Sequence, residues 1–246
     1  MEVFFAEPDQ ISENRIRLDE FESKHILHTL KKKIGDKITI TDGQGNLYHA
    51  EIIETAKRIG LAYHNYEKFK KTVPEITLAV GFIRPNRLDM LFEKCTELGV
   101  NRFILFRSQF TNYVSFNLSR FYKILRQAVK QSLQYYLPEL KVIEKFDEFI
   151  DQSANYDARL ICRSPDDPGI ITTLKDSEAG KLKSVILGIG PEGGFSPGEF
   201  EKFKKNNFTF VSLGKTRLRT ETAAITGVSV LQSYLQYHKE SNIGNR

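Results

Sequence analysis

Two short segments near the C-terminus combine glycines, glutamates and arginines in a spacing that is typical of a ligand-binding site. The first segment, the glycine loop, is Leu187-Gly-Ile-Gly-Pro-Glu-Gly-Gly-Phe195, and the second, the arginine loop, is Leu213-Gly-Lys-Thr-Arg-Leu-Arg-Thr-Glu-Thr222. Each begins where an apolar, strand-like run stops. Both loops are therefore expected at the carboxyl ends of parallel strands, which is the edge where α/β folds bind ligands. These loops form the predicted active site.

The glycine loop contains the spacing Gly188-x-Gly190-x-x-Gly193, which matches the dinucleotide-binding fingerprint. In a true fingerprint a helix begins at the turn, so that the pyrophosphate rests on the helix N-terminus. Here Ser196-Pro-Gly-Glu199 predicts a later helix start, with a serine cap and a glutamate that reaches back to it. Glu192 also places a negative charge where a phosphate would lie. A nicotinamide dinucleotide is therefore not expected.

The arginine loop contains Gly214-Lys215-Thr216, which resembles the end of a phosphate-binding P-loop, but the required earlier glycine is Thr209. The two loops are thus rich in backbone donors and acceptors, and their glycines allow a ligand to approach the backbone closely. They lack the residues that hold a polyphosphate. An adenosine ligand without phosphates fits this pattern.

The composition is that of a globular protein of one or two domains, with 246 residues, 40% hydrophobic and 27% charged. The N-terminus lacks the pattern of a secretory signal, and no apolar run approaches membrane-spanning length. We therefore expect a cytoplasmic protein without a membrane partner. Cys95 and Cys162 are the two cysteines, and they provide neither a disulfide framework nor a metal-ligand spacing, so no metal is predicted.

The net charge of +5 is concentrated in two stretches without acidic residues, from Leu98 to Pro138 and from Lys202 to Thr220. One-sided basic stretches beside a pocket favour a polyanionic partner, and nucleic acid is the expected one. The basic residues of the first stretch are Arg102, Arg107, Arg120, Lys123, Arg126 and Lys130.

The hydrophobic pattern changes near residue 73. Before it, alternating runs at 37–41 and 47–53 surround an Asp42–Asn46 turn and predict a β-rich unit, with a short helix from Glu22 to Lys32. After it, strand-like and helical runs alternate, which is typical of a parallel sheet covered by helices on both faces. We predict an α/β fold with one domain at residues 1–72 and a second at residues 73–246.

With these elements placed, both loops resemble the two signature loops of the RsmE family, SPOUT-class methyltransferases that act on small-subunit ribosomal RNA. Glu93-Lys-Cys-Thr-Glu-Leu-Gly-Val100 and Gln131-Ser132 resemble further motifs of that family in the same order. The resemblance covers nearly the whole chain.

The resemblance implies a C-terminal SPOUT domain whose parallel sheet ends in a trefoil knot, an exception to the rule against threaded chains. It implies an N-terminal PUA-like β-barrel that binds RNA, a homodimer, and S-adenosyl-L-methionine as the cofactor. The implied reaction is methylation of N3 of uridine 1498 in 16S rRNA. The residues expected to bind the cofactor are Leu187, Gly188, Gly190, Pro191, Glu192, Gly193, Gly194, Leu213, Gly214, Leu218, Arg219, Thr220, Thr222 and Ala223.

The implied chemistry requires loss of the proton on uracil N3. Arg219 is the candidate for stabilising negative charge on the uracil carbonyls, and Glu192 or Glu221 is the candidate base. Alternatively, Glu221 only favours the dipole at a helix start and Glu192 only fixes its own loop.

RNA contacts are expected from the basic residues of both stretches, and the neighbouring tyrosines either stack on bases or pack in the interior. The expected RNA-binding residues are Arg107, Arg120, Lys123, Arg126, Lys130 and Arg217, and the tyrosines are Tyr113, Tyr122, Tyr135 and Tyr136.

Three departures from the family pattern concern RNA contacts. Lys31 and Gln134 stand where the family commonly has arginine, and Thr216 takes the place of an arginine that falls one position later, at Arg217. Two alternatives stay open: a methyltransferase for another RNA such as tRNA, and an RNA-binding protein without catalytic activity.

Overall fold

A computed structural model of the chain describes residues 2–112, 114, 116–175 and 182–243. The chain divides into two compact units. The first unit comprises residues 1–71 together with 125–137, and the second comprises residues 72–124 and 138–246. The first unit therefore takes in a segment, 125–137, that lies far along the chain from the rest of it.

The first unit is built on one six-stranded sheet with the order β1-β4-β5-β6-β3-β2, in which only the β1–β4 pair is parallel among the strands described. The strands are β1 (Val3–Phe5), β2 (Ile11–Ser12), β3 (Arg15–Arg17), β4 (Lys37–Thr41), β5 (Asn46–Glu54) and β6 (Gly60–Lys68). The predicted β4–β5 hairpin is confirmed, since Asp42 accepts hydrogen bonds from the backbone N–H groups of Gln44 (2.8 Å) and Asn46 (3.2 Å) and stabilises the turn.

The helix predicted from Glu22 to Lys32 is shorter and starts earlier. Helix α1 (Glu20–Lys24) begins after Asp19, whose carboxylate accepts a hydrogen bond from the N–H of Glu22 at 2.7 Å. A wider π-helical turn follows at His25–Thr29, and the chain then leaves the helical conformation at Lys31, which has a φ of +56°. The predicted pattern therefore identified the helical segment but not its bounds.

The second unit contains a six-stranded sheet with the order β12-β10-β11-β7-β8-β9, and all pairs of neighbouring strands described are parallel. The strands are β7 (Glu75–Gly81), β8 (Arg102–Phe106), β9 (Glu139–Ile143), β10 (Ala158–Cys162), β11 (Ser184–Ile189) and β12 (Thr209–Val211). The helices are α2 (Pro85–Glu97), α3 (Leu118–Gln131), α4 (Phe146–Ser153), α5 (Ile170–Lys175), α6 (Pro197–Lys205) and α7 (Thr220–Ile243). The predicted α/β fold with a parallel sheet is confirmed.

An aromatic cluster fills one face of this sheet. Phe106 stacks on Phe149 with ring centroids 4.2 Å apart, and Phe195 and Phe203 pack edge to face at 4.9 Å. Phe195 ends the glycine loop, so burial of its ring in the core anchors that loop.

The strand order brings the two predicted loops together. Strand β11, which precedes the glycine loop, lies between β10 and β7, and β12, which precedes the arginine loop, pairs with the other side of β10. Because the strands are parallel, both loops leave the same edge of the sheet. Helix α7 starts directly after the arginine loop and packs against α2, α5 and β11.

Helix α3 ends at Gln131, and Leu133 beyond it has a φ of +54°, which is incompatible with a continuing helix. Helix α7 extends to Ile243. Within the residues the structure describes, none of the helices is long and apolar enough to span a bilayer.

Candidate active site

A cavity of about 730 Å³ lies in the second unit at the carboxyl ends of β10, β11 and β12. The glycine loop and the arginine loop form two of its walls, and the segment after β10, Arg163 to Pro165, forms a third. The predicted residues that line it are Gly190, Pro191, Glu192, Gly193, Gly194, Leu213, Gly214, Arg217, Leu218, Arg219, Thr220 and Ala223. The structure thus brings most of the predicted cofactor site together.

Three of the residues predicted to bind the cofactor lie apart from the cavity lining. Leu187 and Gly188 are buried within β11, where a Cβ at position 188 would collide with Ile161 of the neighbouring strand. Thr222 is exposed on the first turn of α7. The glycine at 188 therefore serves strand packing.

The glycine loop is held close to two neighbouring segments. A Cβ at Gly193 would lie 2.7 Å from the Cβ of Phe110, and a Cβ at Gly81, the end of β7, would lie 2.5 Å from Cδ of Pro191. Gly194 has a φ of +72°, and its N–H donates to the carbonyl of Pro191 at 2.8 Å, which closes a tight turn. Glycine is required here for close packing and for the turn.

A hydrogen bond joins the two loops, because the hydroxyl of Thr220 donates to the carbonyl of Gly190 at 3.1 Å. Within the arginine loop, Gly214 has a φ of +124° and its N–H donates to the hydroxyl of Ser212 at 3.1 Å. These contacts fix the backbone of both walls before a ligand arrives.

The helix start predicted after the glycine loop is confirmed. Ser196 caps α6 by accepting from the N–H of Glu199 at 3.3 Å, and the Glu199 carboxylate accepts from the N–H of Ser196 at 2.8 Å. The other oxygen of Glu199 accepts from the N–H of Gln109 at 2.8 Å. The helix N-terminus is occupied by its own capping residues, which agrees with the exclusion of a pyrophosphate site.

The third wall was not predicted. Arg163 forms an ion pair with Asp167 and lies over the ring of Phe210, with the guanidinium carbon 4.2 Å from the ring centroid. Hydrogen bonds from the Arg163 guanidinium hold the pKa of the Asp167 carboxyl below its usual value. Burial raises the pKa of the neighbouring Cys162 thiol to about 12, so this thiol stays protonated at neutral pH.

Arg87 is a second residue that sequence analysis missed. It lies in the first turn of α2, lines the cavity, and donates from Nη1 to Oε1 of Glu192 at 3.3 Å. Its Nε lies 3.8 Å from Oε1 of Glu221. Glu192 lines the cavity, whereas the cavity lining does not include Glu221, which is 10% exposed. The two candidate bases are therefore not equivalent.

The predicted RNA-binding residues fall into two groups. Three are tied to acidic partners: Arg120 to Asp89, Arg126 to Glu7, and Lys130 to Glu22. The other three, Arg107, Lys123 and Arg217, are exposed. Burial raises the pKa of the Glu22 carboxyl, although Lys130 opposes this effect.

Two of the four tyrosines near the basic stretch contact Phe69. The ring of Tyr135 lies 4.1 Å from that of Phe69, and the hydroxyl of Tyr136 donates to the carbonyl of Phe69 at 2.9 Å. Tyr122 is half-buried, and Tyr113 lies outside the described residues.

In the described ranges, no group of three or more histidines, cysteines, aspartates or glutamates is arranged to hold a metal ion.

Comparison with known proteins agrees with this geometry. A family model described as an RNA methyltransferase domain matches residues 70–232, and one described as an RNA methyltransferase PUA domain matches residues 18–60. The ribosomal RNA small subunit methyltransferase E of Synechocystis is 25% identical over 233 residues, covering 93% of this chain and 76% of the relative. The chain belongs to the RsmE family of RNA methyltransferases.

Solved structures resemble this RsmE-family chain over nearly its full length. A probable rRNA methyltransferase of Porphyromonas gingivalis has a TM-score of 0.86 and 29% identity, covering 97% of this chain and 100% of that one. A protein of Legionella pneumophila, determined in complex with the bound cofactor SAM, has a TM-score of 0.82 and 25% identity, covering 95% of this chain and 97% of that one. The predicted family, fold class and methyltransferase activity of this RsmE-family member are confirmed.

Proposed function

We propose that this protein transfers a methyl group from S-adenosyl-L-methionine to N3 of uridine 1498 in 16S rRNA of the small ribosomal subunit. Membership of the RsmE family supports an RNA methyltransferase, and the relatives named ribosomal RNA small subunit methyltransferase E support the rRNA substrate. We further propose a cytoplasmic homodimer whose C-terminal segment forms a trefoil knot, with residues 1–72 as the PUA-like RNA-binding domain and residues 73–246 as the SPOUT methyltransferase domain.

The observation that carries the proposal is the cavity of about 730 Å³ between the glycine and arginine loops. Its walls offer backbone groups at Gly190, Gly193 and Gly214, and the N-terminus of α6, the helix that follows the glycine loop, is already capped by Ser196 and Glu199. Such a site suits an adenosine that carries an amino-acid tail rather than phosphates. The carboxylate of Glu192, with one buried oxygen that lacks a hydrogen-bond partner among the described residues, suits the positive charge of that ligand.

When bound, S-adenosyl-L-methionine supplies a methyl group that is already activated on a sulfonium. The residues of this chain must then remove the proton from N3. Arg219 lines the cavity on an exposed part of the arginine loop, where it is suited to stabilise negative charge on the uracil carbonyls. Of the two candidate bases, Glu192 is favoured because it lines the cavity, whereas Glu221 contacts Arg87 outside the cavity lining.

N3 lies on the pairing edge of uracil, so the target uridine must be unpaired and turned into the site. Arg107, Lys123 and Arg217 are the predicted RNA-binding residues that are exposed, and phosphate contacts by such residues position a structured RNA. The three residues in ion pairs, Arg120, Arg126 and Lys130, are less available for this purpose.

The test is methylation by the purified protein with labelled S-adenosyl-L-methionine and either small ribosomal subunits or bulk tRNA, followed by mapping of the modified nucleotide. We expect label in 16S rRNA at N3 of uridine 1498. Label only in tRNA would show that the substrate is tRNA and that 16S rRNA is wrong. No label in any RNA, together with no calorimetric binding of the cofactor, would favour an RNA-binding protein without catalytic activity.

A further inference from the structure

Three charged side chains from separate segments meet beside the cavity. Arg87 comes from the first turn of α2, Glu192 from the glycine loop, and Glu221 from the first turn of α7. The guanidinium lies 3.3 Å from Glu192 and 3.8 Å from Glu221, measured to Oε1 of each carboxylate. These three residues are called the charge trio below.

The charge trio has more negative than positive charge. One guanidinium faces two carboxylates, so with both carboxylates ionised the trio carries one net negative charge. Oε2 of Glu192 and Oε2 of Glu221 are buried, and neither has a hydrogen-bond partner among the described residues. A buried carboxylate oxygen without a donor is unfavourable, and a cation placed nearby offsets that cost.

The other charges at the cavity do not cancel this excess. Arg163 is paired with Asp167, while Arg217 and Arg219 lie on an exposed part of the arginine loop, where solvent and salt screen them as long as no RNA is bound. Glu192 is 26% exposed and lines the cavity. A ligand inside the cavity therefore meets the carboxylate of Glu192 as a charge that is less screened than those of Arg217 and Arg219.

We infer that the charge trio distinguishes the charged methyl donor from its demethylated product. The inference rests on the proposed use of S-adenosyl-L-methionine. The donor carries a positive sulfonium. Its product, S-adenosylhomocysteine, lacks the methyl group and has a neutral thioether at the same position, and the two molecules are otherwise identical. The trio attracts the first and not the second, which favours exchange of spent product for fresh donor after each turnover.

The test measures the dissociation constants of both ligands by calorimetry for the full-length protein and its variants. Glu192→Gln removes the negative charge with little change of shape. We expect about tenfold weaker binding of the donor and binding of the product within about twofold, the change expected for one partly screened charge. Glu201→Gln on the exposed side of α6 makes the same charge change away from the cavity and should leave both constants unchanged.

Arg87→Met provides a test of opposite sign. Removing the cation makes the trio more negative, so the preference for donor over product should increase. Damage to the loop would instead weaken the binding of both ligands. If Arg87→Met does not fold, Glu221→Gln replaces it, since an Arg87 released from Glu221 neutralises Glu192 more fully and should lower the preference.

The outcomes separate this inference from the proposed function. If the unaltered protein binds both ligands but Glu192→Gln weakens them equally, the enzyme stands and the charge discrimination is wrong. A lower preference in folded Arg87→Met would also overturn it. If the unaltered protein binds neither ligand, the proposed cofactor fails, and the inference fails with it.

Discussion

The hydroxyl of Thr220 donates a hydrogen bond to the carbonyl of Gly190 at 3.1 Å, and this contact joins the start of α7 to the glycine loop. The two residues lie on different walls of the same cavity. A single side chain thus couples the docking of a long helix to the shape of the predicted cofactor site.

Replacing Thr220 with valine should loosen the site while keeping the volume of the side chain. The carbonyl of Gly190 would lose its donor, which costs about 1 kcal/mol of folding free energy. We expect a lower unfolding midpoint and weaker binding of S-adenosyl-L-methionine. Thr222→Val makes the same change at an exposed position two residues later and should alter neither quantity. Equal effects of the two substitutions would show that the loop-to-loop hydrogen bond has no special role.

Gly193→Ala should weaken cofactor binding by at least about tenfold, since an added Cβ would lie 2.7 Å from the Cβ of Phe110 and the loop must move. The matched control is Gly198→Ala in the first turn of α6, where an added Cβ has no neighbour within 4 Å in the described chain. Alanine favours the helix at that position, so full affinity is expected. Calorimetry measures both, and unchanged affinity in Gly193→Ala would mean that the loop tolerates the shift.

Asp167→Asn should destabilise the third wall in a pH-dependent way. The folded-state pKa of Asp167 is lowered, chiefly by the hydrogen bond from Arg163, so its contribution to stability is present above the unfolded pKa of about 3.9 and lost as the pH falls through the folded value. Because Arg163 is 40% exposed, we expect a difference of no more than about 1 kcal/mol above pH 5.

Chemical unfolding at a series of pH values measures this difference between the unaltered protein and Asp167→Asn. The gap should close as the pH falls below about 4. Asp166→Asn, at an exposed neighbour, is the control. A gap that stays constant with pH would contradict an ionic contribution from Asp167.

The exposed basic residues should affect RNA binding differently from the paired ones. Lys123→Gln and Arg107→Gln should each weaken binding of small-subunit RNA and reduce the slope of log affinity against log salt by about 1, as expected for loss of one phosphate contact. Lys130→Gln removes the partner of buried Glu22 and should mainly lower the stability of the first unit. Titrations at several salt concentrations, with thermal unfolding in parallel, separate the two effects. A full salt-slope change from Lys130→Gln would reverse this assignment.

The sequence predicted the two loops because each carries a local signal, namely glycines after an apolar strand and, at Ser196 and Glu199, a capping box that sets the helix start. It did not predict Arg87, whose contact with Glu192 joins residues 105 positions apart. No spacing rule links the first turn of one helix to a loop that follows a strand of distant sequence. Arg163 was missed for the same reason, since its importance depends on β10 lying between β11 and β12.

The ion pairs of the basic residues in the acid-free stretch were not predicted, for a related reason. Absence of acidic residues along the chain does not exclude acidic partners in space, and Lys130 pairs with Glu22 from a segment 108 positions earlier. The predicted end of the helix from Glu22 to Lys32 was wrong because Lys31 adopts a positive φ, which no residue pattern indicated.

The position of β12 outside β10 has a consequence for the order of events during synthesis. Strands β7 to β11 are contiguous in the sheet, and all of them precede β12 in the chain. The cavity, however, still lacks the wall that runs from Leu213 to Ala223. A growing chain that has not yet added residues 213–223 therefore lacks part of the ligand site. Ligand binding thus reports completion of the C-terminal segment, and cofactor supplied during translation would stabilise only chains that have added β12 and docked α7.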